Sequence, residues 1–140
     1  MKPARFLRIA SVLSLIHGVL HTVGGVLGKP RHGTEEIAVI EAMKSHRFDF
    51  MGSLRSYWDF FFGYGLFVAI SLLMQSILLW QLSSLIRKDG ASMRSVIALL
   101  FVSWIATAIV SWSYFFAAPA VTELLIAACL AVAFFTAAPA

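Results

Sequence analysis

Residues 57–82 read YWDFFFGYGLFVAISLLMQSILLWQL, a stretch in which Asp59 is the only charged side chain. An α-helix rises about 1.5 Å per residue, so about 20 apolar residues cross the roughly 30 Å hydrocarbon core of a bilayer. Residues 57–82 are long enough for this, and further apolar segments of comparable length occupy 6–27, 96–116 and 119–135. The sequence therefore predicts four membrane spans.

The overall composition leads to the same class of protein. Of the 140 residues, 60% are hydrophobic and only 13% are charged. So little polar surface cannot cover a water-soluble globule, which makes the lipid bilayer the expected partner. We expect an all-α fold, a single transmembrane domain over 1–140 built as an antiparallel four-helix bundle. The net charge of +4 comes from residues that flank the spans. It does not indicate nucleic-acid binding, because no soluble fold is present to carry a basic face.

The basic residues at the ends of the spans set the expected orientation. One cluster precedes and enters the first span and another lies in the short loop after the second: Lys2, Arg5, Arg8 and Arg87, Lys88, Arg94. Positively charged flanks favour the cytoplasm, so we expect both termini inside. The first loop also carries basic residues, which counts against this orientation. Histidines interrupt the first apolar segment and no clear A-x-A site follows, so we expect a retained helix rather than a cleaved signal peptide.

The outer loop, 28–56, is the only sizeable part predicted to lie outside the membrane. Thr34 is a suitable N-cap, and Glu35 and Glu36 would occupy the first helical turn, where the helix dipole favours acids. Ile37 and Ile40 then recur at helical spacing. The pattern predicts a short amphipathic helix on the outer surface, with a solvated connector as the alternative.

His17 and His21 lie one helical turn apart inside the first span. Ionisable side chains at membrane depth are costly and usually face the interior of a bundle, which makes these residues candidates for function. Small residues such as Ser14 and Gly24 share their face and would allow a neighbouring helix to approach closely. The histidines could therefore also serve only in helix packing.

The predicted topology brings further polar groups to the same depth. If the first helix ends outside near residue 27, His21 lies about 9 Å below that edge and His17 about 15 Å below it. The second and fourth spans begin on the outer side, where Asp59 and Glu123 fall in their first turns, and Trp112 and Tyr114 end the third span there. We expect these side chains to form a polar site in the outer half. The alternatives are an Asp59–Arg55 ion pair, a first-turn role for Glu123 and an aromatic belt at the interface.

The chemistry of such a site leaves several functions open. His17 and His21 could share a divalent metal, completed by carboxylates, whereas bis-histidine haem is disfavoured because one helix face cannot supply opposite axial ligands. A lipophilic small molecule such as a quinone, an isoprenoid or a lipid could bind instead. The site could also perform acid–base chemistry on a lipophilic substrate, which would make the protein a membrane enzyme. The remaining alternative is a structural or accessory subunit that packs against a membrane-protein partner or another copy of itself.

The segments RSYWDFFFGYG at 55–65 and HGVLH at 17–21 resemble an uncharacterised family of small bacterial four-span membrane proteins. The resemblance covers most of the chain. It implies a bacterial inner-membrane location and no activity, cofactor or catalytic residue.

Overall fold

The computed structural model describes residues 3–137, which are 81% helical and contain five helices. Helix α1 continues into a short π-helical segment, and a two-stranded hairpin separates α2 from α3. The elements in chain order are α1 (Pro3–Leu20), the π segment (His21–Val26), α2 (Thr34–Ser45), β1 (Arg47–Phe50), β2 (Ser53–Ser56), α3 (Tyr57–Leu85), α4 (Gly90–Tyr114) and α5 (Ala117–Thr136).

Within the described residues, four helices are long and apolar enough to cross a membrane: Pro3–Val26, Tyr57–Leu85, Gly90–Tyr114 and Ala117–Thr136. This confirms the predicted number of apolar spans. The largest difference in boundary is at α4, which begins at Gly90 rather than at 96. The Asp89 carboxylate accepts a hydrogen bond from the Ser92 main-chain N–H at 3.1 Å. This cap starts the helix within a polar stretch that hydropathy alone assigns to the loop.

The chain divides into two compact units, each of which is defined by contacts among its own residues. The first unit comprises residues 3–17 and 72–137, and the second comprises 18–71. The first unit has one hydrophobic core, to which α1, α3, α4 and α5 all contribute. Its largest fully buried side chains include Leu7, Leu79, Ile97, Trp104, Ile126 and Leu130.

Buried serines join α1 to α3 in the first unit. The Ser11 hydroxyl donates to the Ser76 carbonyl oxygen at 2.8 Å, and the Ser76 hydroxyl donates back to the Ser11 carbonyl oxygen at 2.9 Å. The Ser14 hydroxyl donates to the Leu72 carbonyl oxygen at 3.1 Å. Later residues of α1 thus pair with earlier residues of α3, so these two segments run antiparallel. Small hydroxyl residues allow close backbone approach and supply interhelical hydrogen bonds, as is typical of membrane helices.

Helices α4 and α5 form a second antiparallel pair in the same unit. Near the start of α4, Arg94 Nη1 donates to the Ala137 carbonyl oxygen at 3.3 Å, and its guanidinium carbon lies 4.4 Å from the centre of the Phe134 ring. Near the end of α4, Ser111 lies beside Glu123 in α5. Contacts at both ends of the pair define a helical hairpin.

The second unit contains an element that the sequence analysis did not predict. Strands β1 and β2 pair antiparallel through a two-residue loop, Met51–Gly52. Both loop residues have positive φ, 53° and 81°, which is the requirement of a type I′ turn. The Asp49 carboxylate accepts from the Gly52 N–H at 3.1 Å and stabilises the turn.

Helix α2 confirms a short helix in the loop, but the prediction that Thr34 caps it is wrong. Gly33 is the N-cap, with φ 88° and no side-chain cap bond, and Thr34 is the first helical residue. The Glu36 carboxylate instead accepts from the main-chain N–H groups of Arg31 and His32 at 2.6 and 2.7 Å. These bonds hold the preceding chain against the helix and keep the pKa of Glu36 below its usual value. No side chain of α2 is buried.

Candidate functional site

Asp59 stabilises the start of its own helix. The Ser56 N–H and hydroxyl donate to Asp59 Oδ2 at 2.8 and 3.0 Å, and the Asp59 N–H lies 3.2 Å from the Ser56 hydroxyl. This reciprocal arrangement is a capping box. Asp59 does not form the alternative ion pair with Arg55. The Arg55 guanidinium group donates instead to the Leu54 carbonyl oxygen, and the one ion pair in the described chain is Lys44–Glu41. The spacing S-x-x-D at 56–59 was the sequence signal for this role.

His21 is the first residue of the π segment and bridges to α3 within the second unit. Its Nε2 lies 3.0 Å from the Gly65 carbonyl oxygen. Because a carbonyl oxygen only accepts, Nε2 carries the hydrogen and donates. A Cβ built on Gly25 would lie 3.8 Å from Nδ1, so the second ring nitrogen lies over this glycine. Short π-helical segments occur frequently at functional sites.

The predicted site residues are divided between the two units. His17 and Glu123 belong to the first unit, and His21 and Asp59 belong to the second. His17 is half-buried in α1. Within residues 3–137, no group of three or more His, Cys, Asp or Glu side chains is placed to hold a metal ion. A metal held by His17 and His21 therefore stays a prediction.

Glu123 is buried in the α4–α5 hairpin, with 6% of its surface exposed. It lies on the face of α5 that packs inward with Ala120, Ile126 and Ala127. Ser111 of α4, also buried, lies beside the carboxyl group. Among the described residues, however, Glu123 Oε2 has no hydrogen-bond partner. A buried polar atom in this state lowers stability, and such atoms are uncommon in native proteins.

An apolar groove of about 240 Å³ runs over the α4–α5 pair near Glu123. Its lining residues on α5 flank Glu123, and those on α4 flank Ser111: Ile105, Ala108, Ile109, Trp112, Ser113, Ala120 and Leu124. A second groove, of about 290 Å³, follows α1 past Arg5 and Arg8 and has no acidic or histidine side chain in its lining. Glu123 and Ser111 do not themselves line the groove at α4–α5, but each is next in sequence to a residue that does, Leu124 and Trp112.

The aromatic residues predicted at the end of α4 differ in their roles. Trp112 lines the groove, whereas Tyr114 does not, and both side chains are largely exposed, by 70% and 80%. Their exposure is consistent with an aromatic belt at the membrane interface.

Sequence reasoning missed two buried polar groups of α4. Trp104 is 2% exposed and its Nε1 has no hydrogen-bond partner among the described residues. Ser111 is the second, with 6% of its surface exposed. The residue types gave no signal for either role, because each depends on which face of α4 packs against α5.

The chain was compared with protein-family models, with curated proteins and with solved structures, and none of them matches it. The resemblance to small bacterial four-span proteins accordingly stays an expectation.

Proposed function

We propose that this protein is an integral membrane protein that binds a lipophilic small molecule of the quinone, isoprenoid or lipid class at the α4–α5 groove. In this proposal the four spans form an antiparallel bundle in a bacterial inner membrane, with both termini in the cytoplasm. The observation that carries the proposal is the buried Glu123 carboxyl group, whose Oε2 has no partner within the described chain.

The energetics favour an external partner for this carboxyl group. Leaving a buried polar atom unsatisfied costs about 1–3 kcal/mol. A ligand that hydrogen-bonds to Glu123 would offset part of this cost, and the stabilisation would appear as binding affinity.

The groove is suited to an elongated apolar molecule. Its volume of about 240 Å³ is slightly below the roughly 300–1,000 Å³ typical of ligand pockets. It would therefore hold the polar head and the adjoining segment of a ligand, while the rest lay among lipid chains. Trp112 would contact the ligand from α4, and Ser111 would hold the Glu123 carboxyl group in position.

Native mass spectrometry on protein purified in mild detergent tests the proposal. The wild type is compared with Glu123→Leu and with a matched control, Thr122→Val, whose hydroxyl bonds only to the Ala118 carbonyl oxygen of its own helix. We expect wild type and control to retain a small-molecule mass that Glu123→Leu loses. Identical spectra for all three proteins would contradict the proposal and favour an accessory subunit.

The proposed orientation has a separate test. Single cysteines are introduced at Lys29 and Lys88 in a Cys129→Ala background, and intact spheroplasts are treated with a membrane-impermeant maleimide. We expect labelling at position 29 but not at 88 until the membrane is opened. The opposite pattern would place both termini outside.

A further inference from the structure

The β hairpin adjoins a membrane-spanning helix without a linker. Strand β2 ends at Ser56 and α3 begins at Tyr57. The Ser56–Asp59 capping box fixes this junction through hydrogen bonds in both directions. Because α3 is long and apolar enough to span a bilayer, the hairpin is held at the membrane boundary on whichever side α3 begins.

Aromatic contacts show that the hairpin folds back along the first turn of α3. The Phe48 ring lies 5.0 Å from Tyr57 and 6.2 Å from Phe60, measured between ring centroids. The Phe50 ring, near the hairpin tip, lies 5.4 Å from Phe60 in an edge-to-face arrangement. Strands advance about 3.3 Å per residue, so a hairpin that extended away from α3 would carry Phe50 out of reach of Phe60. The tip is thus at the level of the first turns of the helix.

The hairpin tip is apolar and its base is cationic. Met51 is 92% exposed, and Phe50 and Leu54 are each about half exposed, at 51% and 53%. At the base, Arg47 pairs with Ser56, and Phe48 pairs with Arg55. The Asp49 carboxylate accepts the Gly52 N–H of the turn, and the Asp59 carboxylate at the start of α3 lies within electrostatic range of Arg47 and Arg55.

We propose that this hairpin is an interfacial anchor that inserts Phe50 and Met51 into the same bilayer that α3 crosses. Arg47 and Arg55 bind the phosphates of anionic lipid headgroups there. Apolar side chains gain free energy by leaving water at this boundary, and arginine recognises phosphate through paired hydrogen bonds. The inference depends on α3 spanning a membrane and is independent of a ligand at Glu123.

Spin-label accessibility tests the insertion. A nitroxide is attached to Met51→Cys in a Cys129→Ala background, in vesicles of phosphatidylethanolamine and phosphatidylglycerol. Glu35→Cys, in the exposed and acidic first turn of α2, is the matched aqueous reference. We expect the label at 51 to collide more with oxygen than with a water-soluble nickel chelate, and the label at 35 to show the reverse. Equal nickel accessibility at the two positions would overturn the proposal.

A second variant tests the role of the arginines. Arg47→Gln/Arg55→Gln in the Met51→Cys background keeps the hairpin polar at its base but removes its charge. We expect nickel accessibility at position 51 to rise at least twofold in vesicles containing phosphatidylglycerol. An unchanged value would show that the arginines do not bind the anionic headgroups. The labelled side chain is exposed, so the labelling itself does not require repacking of the protein.

Discussion

Glu123 is the residue whose burial is most difficult to explain by packing alone. A side chain that served only to fill the α4–α5 interface would be apolar, as its buried neighbours Ala120 and Ile126 are. Ser111 lies beside the carboxyl group, yet Oε2 has no partner among the described residues. Proteins retain destabilising polar groups chiefly where function needs them, so stability and binding should respond to this side chain in opposite directions.

Replacing Glu123 with Leu should stabilise the ligand-free protein. The variant removes an unsatisfied buried polar atom, so we expect a gain of about 1–3 kcal/mol in the free energy of unfolding. Thermal unfolding in detergent measures the effect, and Glu123→Gln, which keeps a buried polar group, should show no such gain. A loss of stability in Glu123→Leu would instead identify the carboxyl group as a structural hydrogen-bonding partner.

His21 forms a hydrogen bond to the Gly65 carbonyl oxygen, and replacing His21 should show how much this bond contributes to the free energy of unfolding. Removing the bond from Nε2 to the Gly65 carbonyl oxygen in His21→Leu should cost about 0.5–2 kcal/mol, the range for hydrogen bonds between membrane helices. His21→Gln, whose amide can still donate, should recover part of the loss. Equal stabilities in chemical unfolding for wild type and His21→Leu would show that the bond contributes nothing to folding.

At the scale of elements, the glycines of α3 differ in what surrounds them. A Cβ built on Gly65 would lie 2.9 Å from Val26 Cγ2 in the π segment, whereas one on Gly63 meets nothing within 4 Å. The close packing of the π segment on α3 therefore depends on Gly65. This contact and the His21 hydrogen bond involve the same residue of α3.

We expect Gly65→Ala to destabilise the protein by about 1–3 kcal/mol through overpacking. Gly63→Ala is the matched control and should be neutral or stabilising by up to about 1 kcal/mol, since alanine favours helix. Val26→Ala should rescue Gly65→Ala by providing space. Urea unfolding measures the stability of each variant. Equal changes in stability for Gly65→Ala and Gly63→Ala would contradict close packing of Val26 on Gly65.

Acid should loosen the start of α4. The Ser92 side chain and main-chain N–H hydrogen-bond to Asp89 and hold its pKa below the usual value of 3.8. A carboxyl group with a lowered pKa in the folded state stabilises that state above its ordinary pKa. The contribution is lost as the pH falls through the lowered value. The protection factors for hydrogen exchange in the first turn of α4, which correct for the intrinsic pH dependence of exchange, should therefore fall below about pH 4. Asp89→Asn, a neutral cap, should show no such pH dependence. If protection in the wild type did not change with pH, the proposed capping role of Asp89 would be refuted.

At the scale of the whole molecule, the number of long apolar helices was predictable from the sequence, because it depends only on the lengths of the apolar segments. Four long apolar segments predict four helices able to span a membrane, and residues 3–137 contain four helices of sufficient length and hydropathy. The hairpin at 47–56 was missed because its alternation covers only four residues in each strand, too few to stand out within a polar loop. Its one specific signal was Met51–Gly52, where glycine suits the turn.

The candidate site was less predictable, since it depends on how the helices are rotated. Sequence alone placed Asp59 and Glu123 together as first-turn acids of their spans. In the structure, Asp59 is exposed and bonded to Ser56, whereas Glu123 is buried against α4. The capping box was visible in the sequence spacing. The burial of Glu123 was not, because helical periodicity does not show which neighbour covers a face.

The most direct test of the central claim is photocrosslinking in cells with a diazirine amino acid at Leu124. This side chain lines the α4–α5 groove, and Leu125 is its matched control because the two are almost equally exposed, at 49% and 52%, and Leu125 is outside the groove lining. We predict that mass spectrometry will find one small-molecule adduct at position 124 that is absent at 125. The same phospholipid adducts at both positions, or a protein adduct at 124, would contradict a ligand site beside Glu123.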